Sequence, residues 1–172
     1  MSVGPLTEPD ARAVRAQLGR PPRDLAGVGH RCPCGLPDVV ETRPRLSDGA
    51  PFPTLYYLTC PRAVSQVSAL EAAGLMAELT RRLAADEGLR AGYRAAHRAY
   101  LADRVELGDV PEIADVSAGG MPDRVKCLHA LVAHSLVAGP GVNPVGDEAL
   151  TMLARWWQPG ACVAVPGSEA AR

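Results

Sequence analysis

Four of the five cysteines stand in three separate segments of the chain, each beside residues that turn the backbone. Cys32 and Cys34 flank a proline in a short Pro/Gly run, Cys60 ends an apolar, strand-like stretch, and Cys127 opens the most helix-like apolar stretch. Thiolates are the soft ligands that select zinc or an iron–sulfur cluster. We therefore expect a fold that brings three distant segments to one metal.

Histidines offer further ligands for that site. His129 and His134 lie in the same predicted helix as Cys127. His134 would sit on the face of Cys127 but about 10 Å along the axis, and His129 about 200° around it, so the helix cannot supply all three. The alternative is that Cys60 and Cys127 are buried apolar residues and that His134 is a hydrogen-bonded core residue. The candidate ligands are thus Cys32, Cys34, Cys60, Cys127, His129 and His134, and zinc is favoured over a [4Fe–4S] cluster.

Composition excludes some functions. The 172 residues have a formal net charge of -1 with 22% charged residues, which argues against nucleic-acid or anionic-membrane partners, since both usually need excess Lys and Arg. We see neither a secretory signal nor a segment long enough to span a bilayer, so a cytoplasmic location is expected. In that reducing compartment clustered thiols favour metal binding or reactivity over disulfides.

The hydrophobic pattern predicts a mainly helical α+β fold with a small antiparallel β-hairpin. Strands are expected over 39–42 and 54–59, and helices over 8–18, 62–83 with a break at Gly74, 89–107, 123–137 and 147–157. Residues 20–35 are expected to be irregular. The predicted single domain covers 7–158, with flexible ends at 1–6 and 159–172.

A second candidate site lies where the chain enters the Cys127 helix. Gly119 and Gly120 precede two cations, Arg124 and Lys126. Backbone N–H groups exposed by glycines at a helix N-terminus favour an anion, which suggests an anionic small-molecule ligand. The spacing is not that of a P-loop, and a plain loop with a capped helix is the alternative.

Three longer motifs resemble the uncharacterised bacterial family DUF501: residues 31–37 (RCPCGLP), 48–61 (DGAPFPTLYYLTCP) and 125–130 (VKCLHA). The resemblance covers about residues 10–155 and brings no established activity. It implies that Cys32, Cys60 and Cys127 are the consistent thiols, whereas the position of Cys34 can hold another residue. Family genes commonly lie near those for a septum-formation protein and an exopolyphosphatase, which implies a cytoplasmic housekeeping role.

Three functions are compatible with these features. The first is a cytoplasmic protein with a cysteine-rich metal site. The second is an enzyme that acts on a phosphorylated or otherwise anionic small molecule beside Gly119 and Lys126. The third is an interaction module for cell division that uses an apolar surface such as Trp156 and Trp157. The protein partner, if there is one, is unknown from the sequence.

Overall fold

The structure, a computed structural model, describes residues 4–165 as six α-helices and a three-stranded antiparallel sheet. This confirms the predicted mainly helical α+β fold. The strands are β1 (Leu25–Arg31), β2 (Pro37–Thr42) and β3 (Tyr56–Leu58). The helices are α1 (Glu8–Leu18), α2 (Pro61–Ala72), α3 (Leu75–Ala85), α4 (Glu87–Leu107), α5 (Leu128–Ala138) and α6 (Pro144–Thr151), with a 3-10 turn at Pro111–Ile113.

Helix α1 begins and ends as the sequence predicts. The Thr7 hydroxyl oxygen accepts from the Asp10 N–H, and the Asp10 carboxylate accepts from the Thr7 N–H in return. This reciprocal capping box satisfies two backbone donors at the start of the helix. Gly19 ends the helix in the left-handed conformation, with φ at 67°.

The sheet has one strand more than predicted. β2 pairs antiparallel with β3, as expected, and also with β1 on its other side. The prediction that residues 20–35 are irregular is therefore wrong for β1. The two glycines of this strand, Gly27 and Gly29, weaken its strand propensity, and its register with β2 is irregular. Gly29 faces Val137 of α5 so closely that a Cβ would lie 2.9 Å from its Cγ2.

The two helix boundaries after α2 are set differently, one by a glycine and the other by an aspartate cap. Gly74, with φ at 89°, separates α2 from α3 as predicted. Gly88 does not separate α3 from α4, because the Asp86 carboxylate caps α4 by accepting from the Leu89 N–H at 2.9 Å. Gly88 therefore lies within the first turn of α4.

Helix α5 starts at Leu128, later than the predicted residue 123. The N–H groups that an earlier helix would use are already bonded elsewhere. The Val125 N–H donates to the Thr80 hydroxyl at 3.0 Å, and the Lys126 N–H donates to the Gly119 carbonyl at 2.7 Å. The stretch before α5 therefore remains a loop with an extended end.

Helix α6 is also displaced from its predicted bounds, and it ends before the tryptophans. The Asn143 side chain caps it by accepting from the Gly146 N–H at 3.1 Å, so the helix begins before Asp147. Trp156 is buried and packs edge to face on Trp157 at 4.9 Å. Trp156 is 6% exposed and Trp157 is half-buried, so Trp156 packs mainly in the core.

The described ends of the chain contact the rest of the fold. Gly4 forms a bridge with Val28 of β1. The Arg62 guanidinium donates to the carbonyls of Gly160 and Ala161 at 2.8 and 3.1 Å. Residues 1–3 and 166–172 of the predicted flexible ends lie outside the described residues.

Helix α5 lies at the centre of the core. It contacts β3, α6 and α2, and also the other two strands. Seven of its residues are buried, so the helix is apolar on every side rather than amphipathic. The start of α5, with Cys127 as its N-cap residue and His129 in its first turn, is therefore held in place by the packing of this helix in the core.

Within residues 4–165, no helix combines the length and apolarity that a bilayer crossing requires.

Candidate metal centre at the start of helix α5

The loop before α5 is built on two glycines. Gly119 and Gly120 have φ of 68° and 92°. A Cβ on Gly119 would lie 2.5 Å from Leu131 Cδ2, and one on Gly120 would lie 2.6 Å from the Arg124 carbonyl oxygen. Both positions therefore need glycine for conformation and for space. The Gly119 carbonyl accepts from the N–H groups of Lys126 and Cys127, which fixes Cys127 as the N-cap residue of α5.

Three ligand atoms converge at this helix start. Cys127 Sγ lies 4.0 Å from His129 Nδ1, and the same nitrogen lies 3.1 Å from Glu71 Oε1 of α2. All three atoms are within 4.8 Å of one another. The Leu128 N–H donates to Glu71 Oε1 at 2.7 Å, so the backbone of α5 holds the carboxylate in place.

The hydrogen bonds of His129 Nε2 fix the tautomer of the ring, and so decide whether Nδ1 offers a lone pair to the cluster. His129 Nε2 lies 3.2 Å from the Val64 carbonyl oxygen and 3.1 Å from the Ser68 hydroxyl. A carbonyl only accepts, so Nε2 carries a hydrogen and donates it to Val64. In neutral His129 the lone pair of Nδ1 then points toward the thiol and the carboxylate.

The electrostatics of the cluster favour a charged pair. Burial would raise the pKa of the Cys127 thiol, but the His129 ring and the nearby Ala130 N–H lower it. The hydrogen bond with Cys127 raises the pKa of His129 to about 9 against the effect of burial, and the Glu71 charge adds to the rise. The raised pKa of His129 favours a proton on Nδ1, where it can donate to the Glu71 carboxylate or the Cys127 sulfur.

The other predicted thiols lie elsewhere. Cys32 and Cys34 are neighbours in the turn after β1, where burial raises the pKa of Cys32 to about 12. Cys60 lies at the corner between β3 and α2 with Cys162 beside it, and burial raises the pKa of Cys60 to about 11. Within residues 4–165, only Glu71, Cys127 and His129 form a set of three or more possible ligands at this spacing. Cys32, Cys34 and Cys60 therefore belong to no such set with Cys127 in the described part of the chain.

His134 is separate from this cluster. Its ring is fully buried, stacks on Tyr56 at 5.8 Å and meets the edge of Tyr100 at 5.2 Å. Its Nδ1 accepts from the Asn143 side-chain amide at 3.2 Å. Burial lowers the pKa of His134 to about 4, so the ring is neutral at physiological pH. It occupies the place of a core residue, which was the alternative considered for it.

A cavity of about 1210 Å³ opens beside the cluster. Cys127 and His129 line it, together with the four residues predicted to bind an anion: Gly119, Gly120, Arg124 and Lys126. The structure therefore joins part of the predicted metal site and the whole predicted anion site in one cavity.

Glu71 was not predicted from the sequence. It lies in the last turn of α2, far along the chain from Cys127, and no local spacing links the two residues. Only the packing of α2 against α5 brings its carboxylate to the thiol.

Comparison with known proteins identifies the chain by family alone. It matches no curated protein and no solved structure. The model of one family, described as "Protein of unknown function (DUF501)", matches residues 28–151, which include every strand or part of it, all helices from α2 to α6 and all three converging residues. The chain belongs to the DUF501 family.

Proposed function

We propose that the protein is a zinc-dependent enzyme whose metal is bound by Glu71, Cys127 and His129. The observation that carries the proposal is the convergence of Glu71 Oε1, Cys127 Sγ and His129 Nδ1, two of whose residues, Cys127 and His129, line a large cavity. Three protein ligands and one position open to substrate are the usual arrangement in catalytic zinc sites.

Two of the three separations between ligand atoms lie close to the spacing that this metal requires. Zinc bonds of about 2.0–2.3 Å in a tetrahedron place neighbouring ligand atoms about 3.3–3.8 Å apart. The observed separations of 3.1 Å and 4.0 Å bracket that range. The Val64 carbonyl that accepts from His129 Nε2 is the kind of outer partner that orients a zinc-bound histidine.

The ligand chemistry favours zinc over an iron–sulfur cluster. Clusters are held mainly by thiolates, whereas this set has one thiolate, one imidazole and one carboxylate. A four-thiolate site of Cys32, Cys34, Cys60 and Cys127 would require these thiols to come closer together, since they do not form a set within 4.8 Å among residues 4–165. All five cysteines are free thiols in the structure, which suits the cytoplasmic location we propose.

Zinc titration of the metal-free, full-length protein tests the site. We expect about one zinc per chain in the wild type, and a loss of affinity of at least about tenfold in Cys127→Ser and in Glu71→Gln, since even outer-shell changes cost that much. Glu78→Gln makes the same charge change on the exposed face of α3, and Cys34→Ser removes a thiol outside the cluster. Both control variants should bind zinc like the wild type.

Cobalt substitution gives a direct view of the thiolate ligand. The wild type should show thiolate-to-cobalt charge-transfer absorption, and Cys127→Ser should not. Loss of metal in Cys32→Ser or Cys60→Ser would instead support the four-thiolate site. A protein that binds no zinc while Cys127 is alkylated rapidly would contradict the metal site and indicate a simple thiolate–imidazolium pair.

A further inference from the structure

The cavity beside the proposed zinc site is too large and too apolar for a small inorganic anion. Its volume of about 1210 Å³ exceeds that of typical ligand pockets, about 300–1,000 Å³. Side chains from α1, β3 and α2 form an apolar wall, which includes Leu18, Tyr56, Leu58, Pro61 and Val64. A ligand with an apolar body would remove this surface from water, and phosphate alone would not.

One end of the cavity is basic. Residues 124–127 form neither helix nor strand, and Val125 is buried whereas Arg124 and Lys126 are exposed. Both cations line the cavity. Among residues 4–165, Asp123 is the only acidic residue that lines the cavity.

The two cations have no carboxylate partner in the part of the chain that the structure describes. Within residues 4–165, neither Arg124 nor Lys126 forms an ion pair, whereas Arg31, Arg45 and Arg82 each pair with a carboxylate at 2.6–2.7 Å. The backbone of Arg124 is nevertheless fixed, because its N–H donates to the Gly120 carbonyl and its carbonyl accepts from the Tyr93 hydroxyl. Two unpaired cations on a fixed backbone form a site for an anionic group.

From these features we infer that the cavity binds an amphiphilic anion, a molecule with a phosphate or carboxylate head and an apolar body. The head lies at Arg124 and Lys126, and the body lies along the wall formed by β3 and α2. Lys126, Cys127 and His129 all line this cavity, so the head group and the proposed metal site share it. The inference rests on the proposed function in taking the amphiphilic anion as a substrate. The binding of this anion to the cavity does not depend on the zinc site.

Calorimetry with four probes tests the ligand class on zinc-loaded, full-length protein. Dodecyl phosphate and dodecanoate, both below their micelle concentrations, represent the two head groups. Inorganic phosphate and dodecanol each lack one half of the ligand. We expect at least one of the two amphiphiles to bind at least about tenfold more tightly than either half. Equal binding of phosphate and dodecyl phosphate would overturn the inference, as would no binding of either amphiphile.

Substitutions at each end of the cavity separate the two contributions. Arg124→Gln with Lys126→Gln should weaken amphiphile binding about tenfold or more without change in zinc content. Arg81→Gln with Arg94→Gln removes two exposed cations outside the cavity and should have no effect. Val64→Thr keeps the side-chain shape but adds a hydroxyl to the apolar wall. It should weaken the binding of the amphiphile and of dodecanol by similar factors. Unchanged binding in the Arg124/Lys126 variant would contradict the placement of the head.

Lys126 is the only lysine in the chain, which gives an independent test. An amine-reactive reagent modifies Lys126 and the N-terminus, and mass spectrometry distinguishes the two. The amphiphile that binds should slow modification of Lys126 but not of the N-terminus. Protection in metal-free protein would show that the ligand site exists even if zinc binding fails. Zinc binding without protection would leave the metal site intact and reject the ligand class.

Discussion

Gly146 sets how closely α6 can approach α5. A Cβ at this position would lie far inside van der Waals distance of the Leu131 carbonyl oxygen and the Ser135 hydroxyl. We expect Gly146→Ala to destabilise the protein by about 1–3 kcal/mol, the usual cost of overpacking. Urea unfolding monitored by circular dichroism measures this change in the free energy of unfolding.

Gly88→Ala is the matched control for that substitution. Gly88 is an exposed residue of α4, and the nearest atom to its Cβ would be Asp86 Oδ1 at 3.4 Å. Because alanine is the better helix former, this variant should gain up to about 1 kcal/mol. A Gly146→Ala protein as stable as Gly88→Ala would show that α5 and α6 do not pack this closely.

Single residues were predictable where their role is local. Thr7 with Asp10, Gly19 and Gly74 act on backbone within a few positions, so sequence spacing reveals them. Part of the candidate site was also predictable, because Cys127 and His129 are close in sequence. Glu71 was not, since a single glutamate on a helix carries no local sign of a partner in another helix.

At the scale of elements, an ion pair joins α1 to β1. The Arg31 guanidinium donates two hydrogen bonds to the Asp10 carboxylate, at 2.7 and 2.8 Å. The Arg31 bonds, aided by Thr7 and opposed by burial, lower the pKa of Asp10 from 3.8 to about 2. Folding therefore favours the ionised form, and this contribution is present above the unfolded pKa and is lost as the pH falls through about 2.

We expect Asp10→Asn to lose up to about 2 kcal/mol of stability at neutral pH. The difference from the wild type should shrink as the pH is lowered from about 5 to about 2, because protonation removes the same charge. Glu8→Gln, at the exposed Glu8–Arg12 pair of the same helix, should follow the wild-type pH profile. A difference that stays constant with pH would assign the effect of Asp10 to its cap alone.

The helices were easier to predict than the sheet. Their apolar periodicity and caps lie within single segments, as in α1 and α2. Strand β1 was missed because Gly27 and Gly29 interrupt its pattern, and it is held by β2 and by contact with α5. Helix α5 was placed five residues too early, because its first N–H groups are bonded by distant residues such as Thr80.

At the scale of the whole molecule, His134 joins four elements in the core. Its ring contacts Tyr56 of β3 and Tyr100 of α4, and its Nδ1 accepts from Asn143 at the start of α6. Burial lowers its pKa to about 4, against the weaker pull of Asp103 and Asp147. The unfolded chain binds the proton more readily, so this contribution to stability is lost as the pH falls from about 6.5 to about 4.

His134→Phe keeps an aromatic ring but cannot take up a proton. As the pH falls from about 7 to about 4, the free energy of unfolding of the wild type should decrease by on the order of 3 kcal/mol more than that of the variant. Nuclear magnetic resonance of the His134 ring protons gives the direct check. Titration near the ordinary value of 6.5 would contradict a buried neutral ring.

The proposed zinc also acts on the whole fold, because its ligands come from two helices that meet only in the folded state. Glu71 ends α2, whereas Cys127 and His129 start α5. A metal that binds the folded chain preferentially adds about 2.7 kcal/mol at a free concentration 100 times its Kd. Thermal unfolding should therefore show a higher Tm with zinc than without it for the wild type and for Cys34→Ser, but not for Cys127→Ser.

Glu71→Gln distinguishes a cross-link between the two helices from a contact within α5. If only α5 held the metal, this variant would retain the full stabilisation by zinc. Loss of the zinc effect in Glu71→Gln, with Glu78→Gln unchanged, would show that the metal joins α2 to α5.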